Sequence, residues 1–302
     1  MRNFSFVQTS VFVDKRYDFS GNQLATFWNV EANKSLTNDE MLGITREMNF
    51  SETTFIQESK KNACVSKIRI FTPGSEIPFA GHPTLGSAYV LRRKKIVDPK
   101  IERIKLELGI GPIDVEFLGK ETVRMKQNPP TLLNELEHPR AIMKALSLTE
   151  KSISEEYPAR FVSTGNPFLI IPLRSLKSVQ KASPNPFAIL SALENEISQD
   201  VLIFSTDTIH ADTNVHARVF APAYNVIEDP ATGSAAGPLG AYLEHHNVLA
   251  SQTTGEVMIV EQGYEMNRPS KLKVQLIKKK KKIEVLVSGR VRTMAEGHFY
   301  LK

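Results

Sequence analysis

The chain has 302 residues, 41% of them apolar and 24% charged, with a net charge of +5. That balance can bury a substantial core and excludes a disordered chain. No run approaches the roughly 18 consecutive apolar residues of a membrane span, the opening Met1–Ser5 carries no apolar signal core, and the single cysteine, Cys64, excludes an internal disulfide or a Cys-based zinc cluster.

The expectation is a cytoplasmic protein with no membrane partner. In chain order, short runs bounded by Gly, Pro, Asn or charge predict strands at Val11–Val13, Ala25–Trp28, Thr53–Ile56, Ile68–Phe71, Ile113–Phe117 and Thr122–Met125. Apolar residues recurring every three or four positions predict helices over Asn38–Met48, Thr84–Arg93, Asn134–Ala145 and Gly233–His245. Cys64 reads as a small filler beside a strand, because no neighbour would lower its pKa. Pro129-Pro130 follows a strand pair and precedes a new helix, which places a domain linker there. Lys278–Lys282 separates two runs of strand length and reads as a solvated hairpin tip. No aromatic residue interleaves the lysines, so no nucleic-acid partner is expected.

The sequence repeats itself. Arg69-Ile70-Phe71-Thr72-Pro73 leads through a turn into the small-residue stretch Gly86-Ser87-Ala88; Arg218-Val219-Phe220-Ala221-Pro222 leads through Glu228-Asp229 and Pro230–Ser234 into Ala235-Ala236-Gly237. The two arginines lie 149 positions apart, and Gly21-Asn22-Gln23 and Gly165-Asn166-Pro167 lie 144 apart. Two related halves are the simplest account. Each half would place a helix start, with its unpaired N–H groups, after a turn of small residues, a ready site for an anion such as a substrate carboxylate if both starts face one cleft. Gly81, Gly86, Ser87, Gly233 and Ser234 would permit close approach of ligand or helix; Ala235, Ala236, Gly237 and Gly240 read as helix-on-sheet packing.

The strings SETTF (51–55), RIFTP followed by PFAGHPTLG (69–86), RVFAP followed by EDPATGSAAG (218–237), and QG with RPS (262–270) resemble the phenazine biosynthesis PhzF-like family, in family order from about residue 6 onward. The resemblance implies an α+β, diaminopimelate epimerase-like fold of two pseudo-symmetric domains, each a curled, barrel-like sheet around one central helix. The domains would be 1–128 and 129–289, with the last strand, about 290–302, completing the first. It implies an isomerase with Glu52 as the proton-moving base and with Gly81, His82, Asp229 and Ser234 around the substrate; Thr232 and Gly233, within the same motif, join the substrate-binding set. It also suggests a homodimer.

Residue types alone leave alternatives at these positions. Glu52 ahead of a Thr-Thr-Phe strand also reads as a solvent-facing or cap-like carboxylate, His82 as structural, and Asp229 as a helix N-cap. The chemistry still suits them. One carboxylate can take a proton from one carbon and return it to another if its pKa is tuned, His82 can donate to a developing enolate, and Asp229 can hold an amino or hydroxyl group.

No metal or cofactor is expected. His245 and His246 are adjacent and not spaced as ligands on one helix face, and no glycine-rich phosphate loop follows a strand. Related two-thiol racemases use a cysteine at each helix start; neither Phe79–His82 nor Asp229–Gly233 holds one, which excludes that chemistry. The reaction the resemblance implies is then a single-base proton shift on a small cyclic or unsaturated carboxylate, with racemisation by Glu52 and Asp229, or a non-catalytic metabolite- or protein-binding role, as alternatives.

Overall fold

The computed structural model describes residues 1–249, 255–279 and 282–302. The chain divides into a first unit, residues 1–126 and 288–302, and a second unit, residues 127–287.

In the first unit the strand Arg2–Val11 pairs antiparallel with Asn22–Phe27, which runs parallel to Glu52–Gln57, which in turn pairs antiparallel with Ser66–Phe71. Ser66–Phe71 takes a short antiparallel partner, Glu76–Ile77, and a parallel one, Arg103–Leu108, which forms a hairpin with Gly111–Phe117. The strand Lys282–Leu301 pairs with Arg2–Val11 and with Thr122–Gln127, so the sheet curls back on itself. The Val291 N–H donates to the Glu121 carbonyl at 2.7 Å where these segments meet.

The second unit repeats this order. Arg160–Ser163 pairs antiparallel with Pro167–Pro172, which runs parallel to Val201–Ser205, which pairs antiparallel with Val215–Ala221. Val215–Ala221 takes the short antiparallel strand Val226–Asp229 and the parallel strand Val257–Gln262, which pairs antiparallel with Ser270–Lys279. The repeated motifs of the sequence are thus the visible part of a repeated strand topology.

Each unit wraps its sheet around one helix, Gly81–Arg93 in the first and Gly233–His245 in the second. Both are buried on almost every side over most of their length, which only a helix inside a sheet can be. Small residues make that possible: a Cβ on Gly86 would come within 2.4 Å of Leu24 Cδ2, and one on Gly237 within 1.8 Å of Gln127 Oε1. The opposite face of each sheet packs shorter helices. In the first unit Phe27, Phe55 and Phe71 form a ring cluster against Met41 and Ile44 of the helix Asn38–Met48. Fully burying each such ring contributes about 1.5–3 kcal/mol. That helix starts where the Thr-x-x-Glu pattern dictates, the Glu40 N–H donating to Thr37 Oγ1 at 3.2 Å and the Thr37 N–H to Glu40 Oε2 at 2.9 Å.

Several expectations are corrected. The expected helix over Asn134–Ala145 is a strand, Thr131–Glu135, then a helix confined to Arg140–Ala145, because Pro139 sets the N-cap. The first strand ends at Val11 and does not reach Val13, since Phe12 turns the chain with φ 66°. The central helix starts at Gly81, not Thr84, which puts His82 in its first turn. At the expected lysine-rich tip, Lys280 and Lys281 lie outside the described residues.

Candidate active site

Glu52 opens its strand opposite Leu24 and just ahead of Thr53, which faces Phe71. Side chains alternate across a strand, so Glu52 shares a face with Thr54. Thr54 accepts a hydrogen bond from Ser87 of the central helix at 3.0 Å, which fixes that face as the one toward the helix. The carboxyl group is therefore aimed inward at the helix start. Glu52 is 9% exposed, and its Oε2 lies 3.4 Å from Nε2 of His82, itself 2% exposed.

This pair is not an ion pair. Burial pushes the His82 pKa down to about 3 and outweighs a backbone hydrogen bond with Gln23 that favours the charged form. The imidazole is neutral at physiological pH. Its Nδ1 lies 3.0 Å from Nδ2 of Asn22, which begins the neighbouring strand. Gly21 brings Asn22 there: its φ of +78° suits glycine, and a Cβ would meet the Val11 carbonyl oxygen at 2.5 Å. Gly81 and His82 open a helix whose N-cap, Ala80, offers no side-chain cap. The first unit thus brings together Glu52, Gly81, His82 and Asn22.

The second unit gathers Asp229, Thr232, Gly233 and Ser234. Asp229 ends a strand opposite Val219 and is 6% exposed. It is not the N-cap of the helix that follows: Thr232 holds that place, without a side-chain cap of its own, and its hydroxyl donates to Asp229 Oδ2 at 2.6 Å. Gln262 ties the turn together. Its Nε2 donates to the Asp229 carbonyl at 2.7 Å and to Thr232 Oγ1 at 3.0 Å, and its Oε1 accepts from the Thr232 N–H at 3.1 Å. Gln127 donates from Nε2 to the Gly233 carbonyl at 2.8 Å while its Oε1 accepts from Thr164 Oγ1 at 2.8 Å. Ser234, in the first helical turn, is 8% exposed.

Sequence reasoning missed the supporting residues Asn22, Gln127 and Gln262. Two lay within noted motifs, Gly21-Asn22-Gln23 and Gln262-Gly263, but a polar residue that acts through a neighbour has no local pattern of its own. Among the described residues no group of three or more His, Cys, Asp or Glu side chains is arranged to hold a metal ion. No helix there is long and apolar enough to cross a membrane.

With this geometry in place, comparison with known proteins is decisive. Residues 10–297 match the family model described as phenazine biosynthesis-like protein. The chain belongs to that family. An uncharacterised isomerase of Clostridium acetobutylicum is 32% identical, across 96% of this chain and 95% of its own length. The trans-2,3-dihydro-3-hydroxyanthranilate isomerase of Pseudomonas aeruginosa is 30% identical, across 93% of this chain and 94% of its own. The structure of a PhzF-family phenazine biosynthesis protein of Bacillus anthracis superimposes with a TM-score of 0.89 over 100% of both chains at 24% identity, a likeness of fold. The anticipated α+β, diaminopimelate epimerase-like architecture is the one observed, and the chain is an isomerase of the PhzF-like kind.

Proposed function

We propose that this isomerase moves a proton, without a cofactor, on a small cyclic or unsaturated carboxylate, with Glu52 as both base and acid. The observation that carries the reading is the buried pair of Glu52 and neutral His82, 3.4 Å apart at the start of the first central helix. In the reaction the Glu52 carboxylate takes a proton from a substrate carbon, and the C–H electron pair moves into the adjacent unsaturated system. Developing negative charge on a substrate oxygen meets a neutral imidazole N–H. Glu52, now a carboxylic acid, returns the proton to a second carbon of the same system, so atoms and charge balance and the enzyme is regenerated.

Asp229, Thr232, Gly233, Ser234 and Gly81 are the proposed substrate-binding set, with Asp229 suited to an amino or hydroxyl substituent and the uncapped helix starts to a carboxylate. The relative named for trans-2,3-dihydro-3-hydroxyanthranilate points to that substrate class: a ring bearing a carboxylate, an amine and a hydroxyl. The proposed setting is the cytoplasm, with a small molecule as the partner.

The test is incubation in deuterated water with a panel of small cyclic amino and hydroxy acids, followed by mass spectrometry of wild type and Glu52→Gln. Deuterium uptake by the wild type should fall by about 100-fold or more in the variant, the scale of one general acid–base group. Uptake that survives Glu52→Gln removes Glu52 from the mechanism.

A further inference from the structure

Asp200 is a buried carboxyl group that the proposed reaction does not use. It is 5% exposed, and its Oδ1 has no hydrogen-bond partner. Its carbonyl accepts from the Leu169 N–H at 2.9 Å, so it continues the ladder of the strand it precedes, Val201–Ser205. On that strand Val201 and Ile203 lie in the core cluster under the shorter helices of the second unit, whereas the Phe204 ring packs on Tyr242 of the central helix with centroids 5.7 Å apart. Side chains alternate, so Asp200 shares with Leu202 and Phe204 the face toward the central helix. In the first unit Glu52 meets His82 and Thr54 meets Ser87, so strand and helix run the same way. In the second, stepping back from Phe204 to Asp200 covers about 13 Å, the rise of about nine helical residues, which leads from Tyr242 to the first turn at Gly233 and Ser234.

That turn has no side-chain cap, because the Thr232 hydroxyl is committed to Asp229 and Gln262. The Ala235 and Ala236 N–H groups return to the Thr232 carbonyl at 3.2 and 3.1 Å, which leaves those of Gly233 and Ser234 for an outside acceptor. Asp200 is shorter than Glu52 by a methylene, and Ser234 lacks the ring of His82, so ligand atoms can stand where the first unit's pair meets. We propose that the second helix start is a carboxylate subsite, in which Asp200 as the neutral acid donates a hydrogen bond to the ligand carboxylate and the Gly233 and Ser234 N–H groups hold its charge. The inference rests on the proposed substrate class and adds the helix start and the side chain that would receive its carboxylate. An ionised Asp200 would repel that group; burial pushes its pKa up to about 7, which keeps it protonated in mildly acidic solution. Tyr224, whose pKa is raised by burial and by the Asp200 charge, is neutral there too. A ligand acceptor would also satisfy a polar group that the fold leaves buried without a partner.

The test is calorimetric titration at pH 6 with 3-hydroxyanthranilate and with 2-aminophenol, which has the same ring, amine and hydroxyl but no carboxylate. Wild type should bind the carboxylate compound about tenfold or more tightly than 2-aminophenol. Asp200→Leu should lose about tenfold in affinity for 3-hydroxyanthranilate and leave that for 2-aminophenol unchanged, the scale of one hydrogen bond to a charged group. Asp200→Asn, which keeps a donor in the same shape, should stay within about threefold of wild type for both. In wild type, independently of how the variants fold, the 13C signal of the Asp200 carboxyl should move on addition of 3-hydroxyanthranilate and stay in place with 2-aminophenol. A wild type without preference for the carboxylate, an Asp200 signal that ignores it, or an Asp200→Leu variant that loses both compounds equally or neither overturns the proposal. Should Glu52→Gln retain deuterium uptake, the proton-transfer reading fails while the subsite still stands or falls on the titrations.

Discussion

Asp200 stands in the second unit where Glu52 stands in the first. Thr53, next after Glu52, faces Phe71 across an antiparallel pair; Val201, next after Asp200, faces Phe220, and both strands run parallel to the second strand of their own unit. The duplication that yielded a buried carboxylate beside His82 therefore left another in the second unit. The two surroundings differ: Asp200 is 5% exposed, its Oδ1 has no hydrogen-bond partner, and burial pushes its pKa up to about 7.

That gives a stability prediction with a definite sign. The folded pKa of Asp200 lies above its ordinary value of 3.8, so its contribution is fully present below about pH 4 and is lost as pH rises through about 7. Asp200→Asn keeps the shape of the neutral acid and cannot ionise. Denaturant melts should find the variant more stable than wild type at pH 8 by about 4 kcal/mol, with the difference vanishing near pH 4. An equal difference at both pH values would show that Asp200 does not titrate as described.

A second buried network has the opposite logic. His216, fully buried, lies 2.8 Å from Glu261 and 3.0 Å from Glu265. Burial opposes charge on all three groups, yet their mutual hydrogen bonds, joined at Glu261 by donors from the Ile209 N–H and the Thr213 hydroxyl, outweigh it, raising the histidine's pKa and lowering both glutamates'. The carboxylate contributions are complete above about 4.5 and lost as pH falls; the histidine's is complete below about 6.5 and lost as pH rises through its raised value. His216→Ala removes the cation between two buried carboxylates, leaving Glu261 only its donors from the Ile209 and His210 N–H groups and the Thr213 hydroxyl, and should cost about 3–5 kcal/mol between those values. The cost should shrink in acid, where both glutamates are protonated in either protein. A pH-independent cost would assign the loss to packing alone.

How far the sequence reveals these features depends on whether the cause is local. The helix Asn38–Met48 is legible because its Thr-x-x-Glu start lies within one turn, and the two central helices because their small residues are contiguous. The His216 network is not, because Glu261 and Glu265 lie 45 and 49 residues along the chain from it, Glu261 meeting it across a parallel strand pair and Glu265 from the turn that follows that strand. Asn134–Ala145 misleads for a related reason: its apolar spacing is helical, but Thr131–Glu135 joins a sheet edge and Pro139 delays the helix. Of the candidate site, the Glu52 and His82 positions come from motifs, whereas their mutual geometry and the Asn22 contact come only from three segments meeting at one helix start.

Gly237, in a central helix, and Gly43, in an outer one, differ sharply in the space around them. Gly237→Ala would drive a Cβ into Gln127 Oε1, forcing apart the amide that also bonds the Gly233 carbonyl. The expected cost is about 1–3 kcal/mol or more. Gly43, in the helix Asn38–Met48, has nothing within 4 Å of an added Cβ, and Gly43→Ala should stabilise by about 0.5–1 kcal/mol. Thermal melts of the two variants should therefore move in opposite directions; a shift of the same sign would mean that the central helix relaxes around Gly237.

The Thr232 hydroxyl is the hinge of the second unit's proposed substrate-binding set, donating to Asp229 Oδ2 and accepting from Gln262 Nε2. Thr232→Val keeps the β-branched shape and removes both bonds. Gln262 keeps its contacts to the Asp229 carbonyl and the Thr232 N–H, so the turn should hold, with a loss of about 1–2 kcal/mol for the bonds removed. The Asp229 carboxylate, however, loses the Thr232 donor that helps set its direction. If Asp229 holds a substrate substituent and Glu52 performs the proton transfer, the variant should show a raised KM at nearly constant kcat, since binding common to ground and transition states is what has been weakened. A fall in kcat at constant KM would instead place Asp229 in the proton-transfer step, the arrangement that racemisation by two carboxylates requires.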